Sequence, residues 1–550
     1  MLTDDQIRAH LDGQQAMEAK RAPWESIWRE VDTWVDPELA GGFTGLTPYG
    51  QRDGHIFDST APEGLDRFTA AVAGLTIPSN SRWHGIVTTD DELNKLPSVR
   101  RWCEAVNDRL FACRYNPSAA FEMQAHADIR QLGKYGTAPL WIGEVPGSHL
   151  FYRAIHLSEV FIDENAFGFV DRLHRKFKLT ARQAMQMFSQ PDDALPAKIM
   201  ECVTADNGKK SNDQFEFLHV ICPREDWSRG MPGLSGMKFD SIYIAIDARQ
   251  QVRRSGFRSM PVPTSRNVVS PGSIYGRSPA MKVLGVIKTL NSMGMTMLRS
   301  AHKQVDPALA FYDDGDITKL STKPGGLNPG LVDEFGRLLV QAIPHGGNLS
   351  EGMQFQEAER QPVKDAFLEN VFQMLFDPPD RATATQVLDM AQRSGILVAP
   401  FVARDETEKR GPQIARELEL LASAGQLPER PGEMVEAGAG VRAIYDNPAT
   451  RMKRADEAAG FTRWVEIGLQ IAGATRDPSI FDFMDADAAM PGVAEVLGVR
   501  PTWIATPDQV AAKRQARSDQ SAALQTVDAV PQLTSAALDA AKANQIAAAA

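Results

Sequence analysis

The sequence predicts a predominantly helical α+β protein built of several packed units, and three observations carry that expectation. From residue 138 to 257 apolar residues tend to alternate, as in half-buried strands, whereas before and after it they recur every three or four, as in helices. Two long helical stretches, 277–304 and 351–376, bracket a short segment punctuated by Gly and Pro. Finally, 550 residues exceed the usual domain of about 100–200 several-fold. A composition of 43% hydrophobic and 23% charged residues is near the soluble average, which excludes wholesale disorder.

Each element follows from local pattern. From Thr3 to about Val35, Ile7, Leu11, Met17, Trp24, Ile27, Trp28 and Val31 keep helical spacing, with a break expected near Pro23. After a Gly- and Pro-rich stretch, Asp58, Ser59 or Thr60 caps a helix that carries Glu63 in its first turn and Leu65, Phe68, Val72 and Leu75 on one face. NSRWHGIV reads as a turn and 97–133 as helical. LWIGEV, LFYRAIHL, EVFID, RLHRKFKL, FEFLHVICP and SIYIAIDARQQVRRSGF read as strands, with SRGMPGLSGM a loop between two of them.

Ser278 and Pro279 start a helix whose face is Val283, Ile287, Leu290, Met297 and Ala301, and Pro307 stops it. Residues 306–350 read as a small β-rich module. Val363, Phe367, Val371, Met374 and Leu375 give 351–376 an apolar face, and DPPDRATAT ends it. Thr383 or Thr385 caps a third helical region reaching about Leu427, with interruptions expected near Pro400 and Pro412. Past Pro428 the pattern is helical with loops, and from about Ser518 the chain is Ala- and Gln-rich, which composition leaves open between helix and disorder.

With 59 basic against 70 acidic residues the formal charge is −11, so the net field does not hold nucleic acid, and any DNA contact is local or weak. One segment departs from this balance. Residues 277–304 hold Arg277, Lys282, Lys288, Arg299 and Lys303 and no Asp or Glu. A solvated face, salt bridges to a partner and a DNA-facing lining all fit such a helix. Four separated cysteines give neither a zinc pair nor a disulfide scaffold, and they are expected to be reduced and mostly buried. The N-terminus lacks a signal-peptide core and no long apolar run occurs, so a soluble, cytosol-made protein is expected.

Catalytic signatures are weak. LGKYGT (132–137) lacks the first Gly of a phosphate loop and has Tyr after Lys, and GLSGM misses the nucleophile elbow. HExxH is absent and no two histidines stand three or four residues apart, so no metal or cofactor is expected. Asp313, Asp314 and Asp316, and Asp482, Asp485 and Asp487, are the carboxylate clusters that a metal-dependent nuclease would use, but acids in turn-rich stretches ordinarily cap helices or face water.

Taken in order, DSTAPEGLDRFTAAVAGL, QLGKYGTAPLWIGE, YGRSPAMKVLGVIKTLN, VDPALAF, ATATQV, IYDNPATRMKRADE and DFMDADAAMPGVAEVLGVRP resemble the head-to-tail connecting (portal) proteins of T7-like podoviruses. The resemblance implies a non-enzymatic, homo-oligomeric ring of about twelve subunits at a capsid vertex of the virion, through which double-stranded DNA enters and leaves. It implies a wing at 1–276, stem helices at 277–304 and 351–376, and a clip at 305–350. A channel loop at 377–384 would follow, then a long wing or crown helix at 385–427, a helical region at 428–517 and a tail or crown extension at 518–550. The implied DNA-channel candidates are Lys282, Lys288, Arg299, Lys303 and Arg381, the last in the narrowest passage. Asp313, Asp314, Asp316 and Arg337 are the implied partner-docking candidates of the clip. Implied partners are the terminase large subunit, scaffold and major capsid protein, and tail adaptor or nozzle proteins, with no membrane involved. Because a lumen lined by every stem cation would grip DNA, only a minority is expected to face it, the rest pairing with carboxylates of the neighbouring subunit. Another virion or tail protein, or a nuclease, are the alternatives.

Overall fold

The structure is a computed structural model that describes residues 2–37, 42–43, 56–79, 81–145, 148–204, 210–228, 230–311, 321, 327, 331–332, 335–343, 348–370, 373, 400–446, 460, 463–471, 473, 505 and 509–519. The chain divides into two compact units, Met1–Lys453 and Arg454–Ala550. In the second, the described residues are helical at 463–471 and 509–519, as the helical pattern past Pro428 predicts for the former.

The first unit opens with α1 (Asp4–Trp34), held at its start by a capping box in which Thr3 and Gln6 satisfy each other's backbone N–H. Contrary to the expected break, Pro23 lies inside this continuous helix. Tertiary anchors on both sides outweigh the lost hydrogen bond. Arg21 donates to the carbonyls of Leu157, Ser158 and Val160 and lies over the Phe161 ring, and the buried Trp28 indole donates to the Tyr135 carbonyl.

Next come α2 (Thr60–Thr76), β1 (His84–Thr88), α3 (Pro97–Arg114) and α4 (Phe121–Tyr135). The strands β2 (Thr137–Val145), β3 (Ser148–Ala154), β4 (Val160–Glu164) and β5 (Val170–Thr180) precede two short helices, α5 (Ala181–Met187) and α6 (Ala197–Thr204). Then follow β6 (Gln214–Pro223), β7 (Phe239–Ala245), β8 (Gln250–Phe257) and β9 (Thr264–Arg266). Strands β4 to β8 form a five-stranded antiparallel meander, and β2 pairs with β3 and β9 in a second sheet. Strand alternation sets the two faces of the meander. Leu218, Val220, Ile242 and Ile244 pack with Ile7 of α1, while Phe177, Phe217 and Tyr243 pack with Ala184, Phe188 and Ile199 around α5 and α6.

Two long helices follow, α7 (Pro279–Val305) and α8 (Leu349–Ala366), with the short antiparallel pair β10 (Leu309–Phe311) and β11 (Val340–Ala342) between them. The second helix breaks within the expected 351–376 range, and residues 369–370 and 373 are helical again. From 400 the chain is helical through a π-helical stretch, Asp405–Arg410, into α9 (Gly411–Ser423). No interruption occurs at Pro412, whereas Pro400 is where the described residues resume, so what precedes it lies outside them. The widened π turn relieves the clash and the missing donor that Pro412 would bring to an α-helix. After α10 (Gly432–Glu436), β12 (Val441–Tyr445) pairs antiparallel with β1. This pairing corrects two expectations, since NSRWHGIV was read as a turn and the region past Pro428 as helical. A two-stranded ladder joining residues 353 to 361 apart leaves no short-range signal.

The largest core joins α2, α3, α4, β2, β3, the base of α7, the end of α8 and α9. All four cysteines are free thiols, Cys103 and Cys202 buried, Cys113 and Cys222 partly so.

Candidate functional site in the helix pair

The start of α7 is fixed by a close backbone crossing. Gly136 caps α4 with a φ of 74°, and a Cβ there would stand 2.4 Å from the Gly276 carbonyl oxygen. A Cβ on Gly276 would in turn stand 2.3 Å from the Gly136 oxygen. Two glycines therefore let α7 leave the β2–β9 sheet at one defined point. The Ser278 hydroxyl then accepts from the Met281 N–H at 3.0 Å, and Pro279 occupies the first turn, where its missing N–H is harmless.

Up to Asn291 this helix has a buried face of Ala280, Val283, Leu284, Ile287 and Leu290. From Ser292 to Val305 none of its residues is buried. At about 1.5 Å per residue, roughly 21 Å of helix stands clear of the core of its own chain. Helix α8 runs antiparallel beside it, and a Cβ on Gly352 would lie 3.5 Å from the Met297 sulfur.

Asp58 clamps the pair. Its buried carboxylate accepts from the Thr60 N–H at 3.0 Å, from Gln356 Nε2 at 3.1 Å and from Arg360 Nε at 2.9 Å. Asn291 Oδ1 accepts from the N–H groups of Phe57 and Asp58, so α2, α7 and α8 meet at one node. Burial alone would raise the Asp58 pKa, but the hydrogen bonds from Thr60 and Arg360 and the Arg360 charge hold it below its ordinary value. Beyond α8, the Phe367 ring covers Gly64, and Arg67 pairs with Glu369.

The exposed face of α7 is made of Lys282, Gly285, Thr289, Ser292, Thr296, Arg299 and Lys303, at alternating three- and four-residue steps. It spans roughly 31 Å without a carboxylate. The Thr289 and Thr296 hydroxyls donate to the helix's own Gly285 and Ser292 carbonyls. Lys282, Arg299 and Lys303 form no ion pair among the described residues, whereas Lys288 is bound at 2.6 Å by Glu30 of its own chain. On α8, Glu351 and Glu359 make no ion pair among the described residues, Glu357 is engaged by Arg360 and Lys364, and Phe355 is 59% exposed. Arg337 is exposed beside the isolated Val332–Leu338 bridge. Asp313, Asp314, Asp316, Arg381 and Asp482, Asp485 and Asp487 lie outside the described residues.

What sequence reasoning missed is the anchor of the chain that follows the helix pair. In the π stretch and α9, Lys409 binds Asp128 at 2.7 Å and the Ala138 carbonyl at 3.1 Å, and Arg410 binds Asp405 at 2.9 Å. Arg266 holds both Glu408 and Glu164 at 2.8 Å. Glu417 receives Arg114, the Tyr152 hydroxyl at 2.7 Å and Gln413 at 2.8 Å, while Arg114 also meets His84 at 2.9 Å. Arg114 and Glu417 are both wholly buried. Burial pushes Asp128 up and Lys409 down, and their mutual attraction opposes both shifts. In sequence DETEKR is a mixed-charge run that resembles a solvated helix face.

Among the described residues no group of three or more His, Cys, Asp or Glu is placed to hold a metal ion, and no helix is long and apolar enough to cross a membrane. What the helix pair offers is a long, projecting, cation-bearing surface.

Residues 9–504 match the family described as bacteriophage head to tail connecting protein. The chain belongs to that family and is a portal, the connector between the head and tail of a bacteriophage. It is 26% identical over 524 residues to the probable portal protein of Bordetella phage BPP-1 and 24% identical over 515 residues to the portal protein of Salmonella phage epsilon15. Each alignment covers 92% of this chain and 90% of the relative. Among solved structures, a virion of a native gene transfer agent particle aligns at 12% identity and a TM-score of 0.36, covering 76% of this chain and 90% of that one. The neck of the native particle, computed with C12 symmetry, aligns at 14% identity and a TM-score of 0.35, covering 79% and 94%.

Proposed function

We propose that the portal acts as a homo-oligomeric ring, with about twelve copies of the α7–α8 pair forming the stem of a conduit for double-stranded viral DNA. The acid-free exposed face of α7 carries this reading. Its cations are sparse, and hydroxyls already satisfied by the helix fill the space between them. Lys282 and Lys303, at the two ends, touch phosphates transiently, while the net charge of −11 per chain keeps the wall from gripping the duplex. Lys288 is drawn away from this role by Glu30. Arg381, which the family resemblance puts in a channel loop at 377–384, completes the passage.

In the same reading residues 1–276 form the wing that meets scaffold and capsid protein. The clip at 305–350, with Asp313, Asp314, Asp316 and Arg337, receives the terminase large subunit and later the tail adaptor. The chain is structural and has no catalytic role. The test is the mass and image of the purified protein. A species near twelve times 60.4 kDa, about 725 kDa, with a central hole supports the ring. A 60.4 kDa monomer that persists with scaffold and capsid protein present, or magnesium-dependent degradation of DNA, overturns it.

A further inference from the structure

The two long helices carry opposite charge on the sides they turn away from each other. On α7, Met297 faces Gly352 of α8, and Arg299, two residues on, lies about 200° around the helix, on its far side. Lys288, at a similar angle, is held by Glu30. The far side of α7 has no carboxylate. On α8, Glu351 and Asp365 lie off the side that meets α7, and between them Gln354, Ala358 and Gln361 add no cation.

The structure assigns this pair of edges, we infer, to a head-to-tail contact between copies of this chain: the Arg299 edge of α7 docks against the Glu351 edge of α8 in the next copy. The inference rests on the portal reading above. A contact of two different edges is heterologous, and such contacts close into rings when the rotation between copies allows.

Register supports the pairing. Residues Met297 and Gly352 stand level in the antiparallel pair. Arg299 therefore lies about 3 Å further toward the tip and Glu351 about 1.5 Å, since α7 runs outward and α8 inward. Copies standing side by side around an axis along the stem keep their heights, so the two groups meet within about 1.5 Å axially, inside the reach of an arginine. Each has no ion-pair partner among the described residues of its own chain, and both are exposed. Phe355, one turn along α8 from Glu351 and 59% exposed, then faces the neighbour near Ser292, which lies within about 20° of Arg299 around α7 and whose small side chain leaves room for an aromatic ring, while Thr289 and Thr296 stay turned toward the passage.

The test is a charge swap in the full chain, read by native mass or light scattering across concentration, with circular dichroism confirming the fold. Arg299→Glu and Glu351→Lys each place like charges at every contact and are expected to raise the concentration needed for half-assembly about tenfold or more. The double variant restores opposite charge and is expected to return assembly to within about threefold of wild type. Single variants that assemble like wild type, or a well-folded double variant that assembles no better than the singles, overturn the inference. Failure of the wild-type chain to form rings would instead overturn the ring proposed above. Phe355→Ala supplies an uncharged check: unchanged assembly removes the Phe355 contact from the interface.

Discussion

Glu417→Gln tests whether the buried network behind the helix pair is a structural lock. The substitution keeps the shape of the side chain but removes the charge that compensates Arg114, and both side chains are wholly buried. Stripping one partner from a buried ion pair costs about 3–5 kcal/mol, because the remaining charge stays out of water. Unfolding of the 453-residue first unit at about 2.1 cal/mol/K per residue has an entropy near 0.95 kcal/mol/K. A loss of that size therefore lowers Tm by about 3–5 °C if the unit melts as one. Hydrogen exchange sharpens the assay, since amides of α9, Gly411–Ser423, should exchange about a hundredfold to a few thousandfold faster while those of the five-stranded meander change little. Replacing both partners, Arg114→Met with Glu417→Leu, should cost less than the sum of the singles. A drop below about 1 °C with unchanged exchange in α9 would refute the lock.

Three further outcomes follow from the same geometry. Asp58→Asn keeps the shape but weakens the charged bond to Arg360, so α8 should exchange faster at Gln356–Lys364 with a loss of about 1–3 kcal/mol, while exchange unchanged from wild type would remove Asp58 from the clamp. Gly136→Ala meets both a left-handed φ and the Gly276 carbonyl, so it should cost about 2 kcal/mol or more and leave little soluble protein, whereas wild-type yield and Tm would contradict the backbone crossing. Burial, with the nearby Lys134 charge adding to it, lowers the His156 pKa to about 4, and burial with the His10 charge lowers that of His174 to about 3. The unfolded chain thus binds protons near pH 6.5 that the fold refuses, and stability falls as pH drops from 6.5 toward 4. His156→Gln should flatten the dependence of Tm on pH in that window, and an identical slope would show that the ring is not held neutral.

The legible part of the fold was the part with local period. Strands β2 to β8 and helices α2, α3, α4 and α7 follow from alternation, three- to four-residue spacing and the Ser278–Pro279 start signal, all of which act within a few residues. The errors were of two kinds. Pro23 and Pro412 were read as breaks because a lone proline is costly in a helix, but anchors such as Arg21 and a π turn, both tertiary or irregular features, override that cost. The β1–β12 ladder and the Glu417 network join residues hundreds of positions apart, and no window of sequence contains both partners. For the candidate site, the cationic character of α7 was visible as composition, but its division was not. That Lys288 is taken by Glu30 while Lys282, Arg299 and Lys303 stay unpaired among the described residues depends on where α1 lies.

The base and the tip of the helix pair differ in how finished they are. At the base, Ile287 and Leu290 are buried, Asn291 and Asp58 are hydrogen-bonded across elements, and the return segment is held by paired charges. Toward the tip, Val305 and Phe335 are more than four-fifths exposed and Leu338 is 68% exposed, a concentration of apolar surface that a single subunit does not cover. A chain that folded to function alone would gain by burying or replacing these side chains, since each exposed residue of that size forgoes about 1.5–3 kcal/mol. Their exposure fits a surface completed by other subunits and by the partners of the assembled particle.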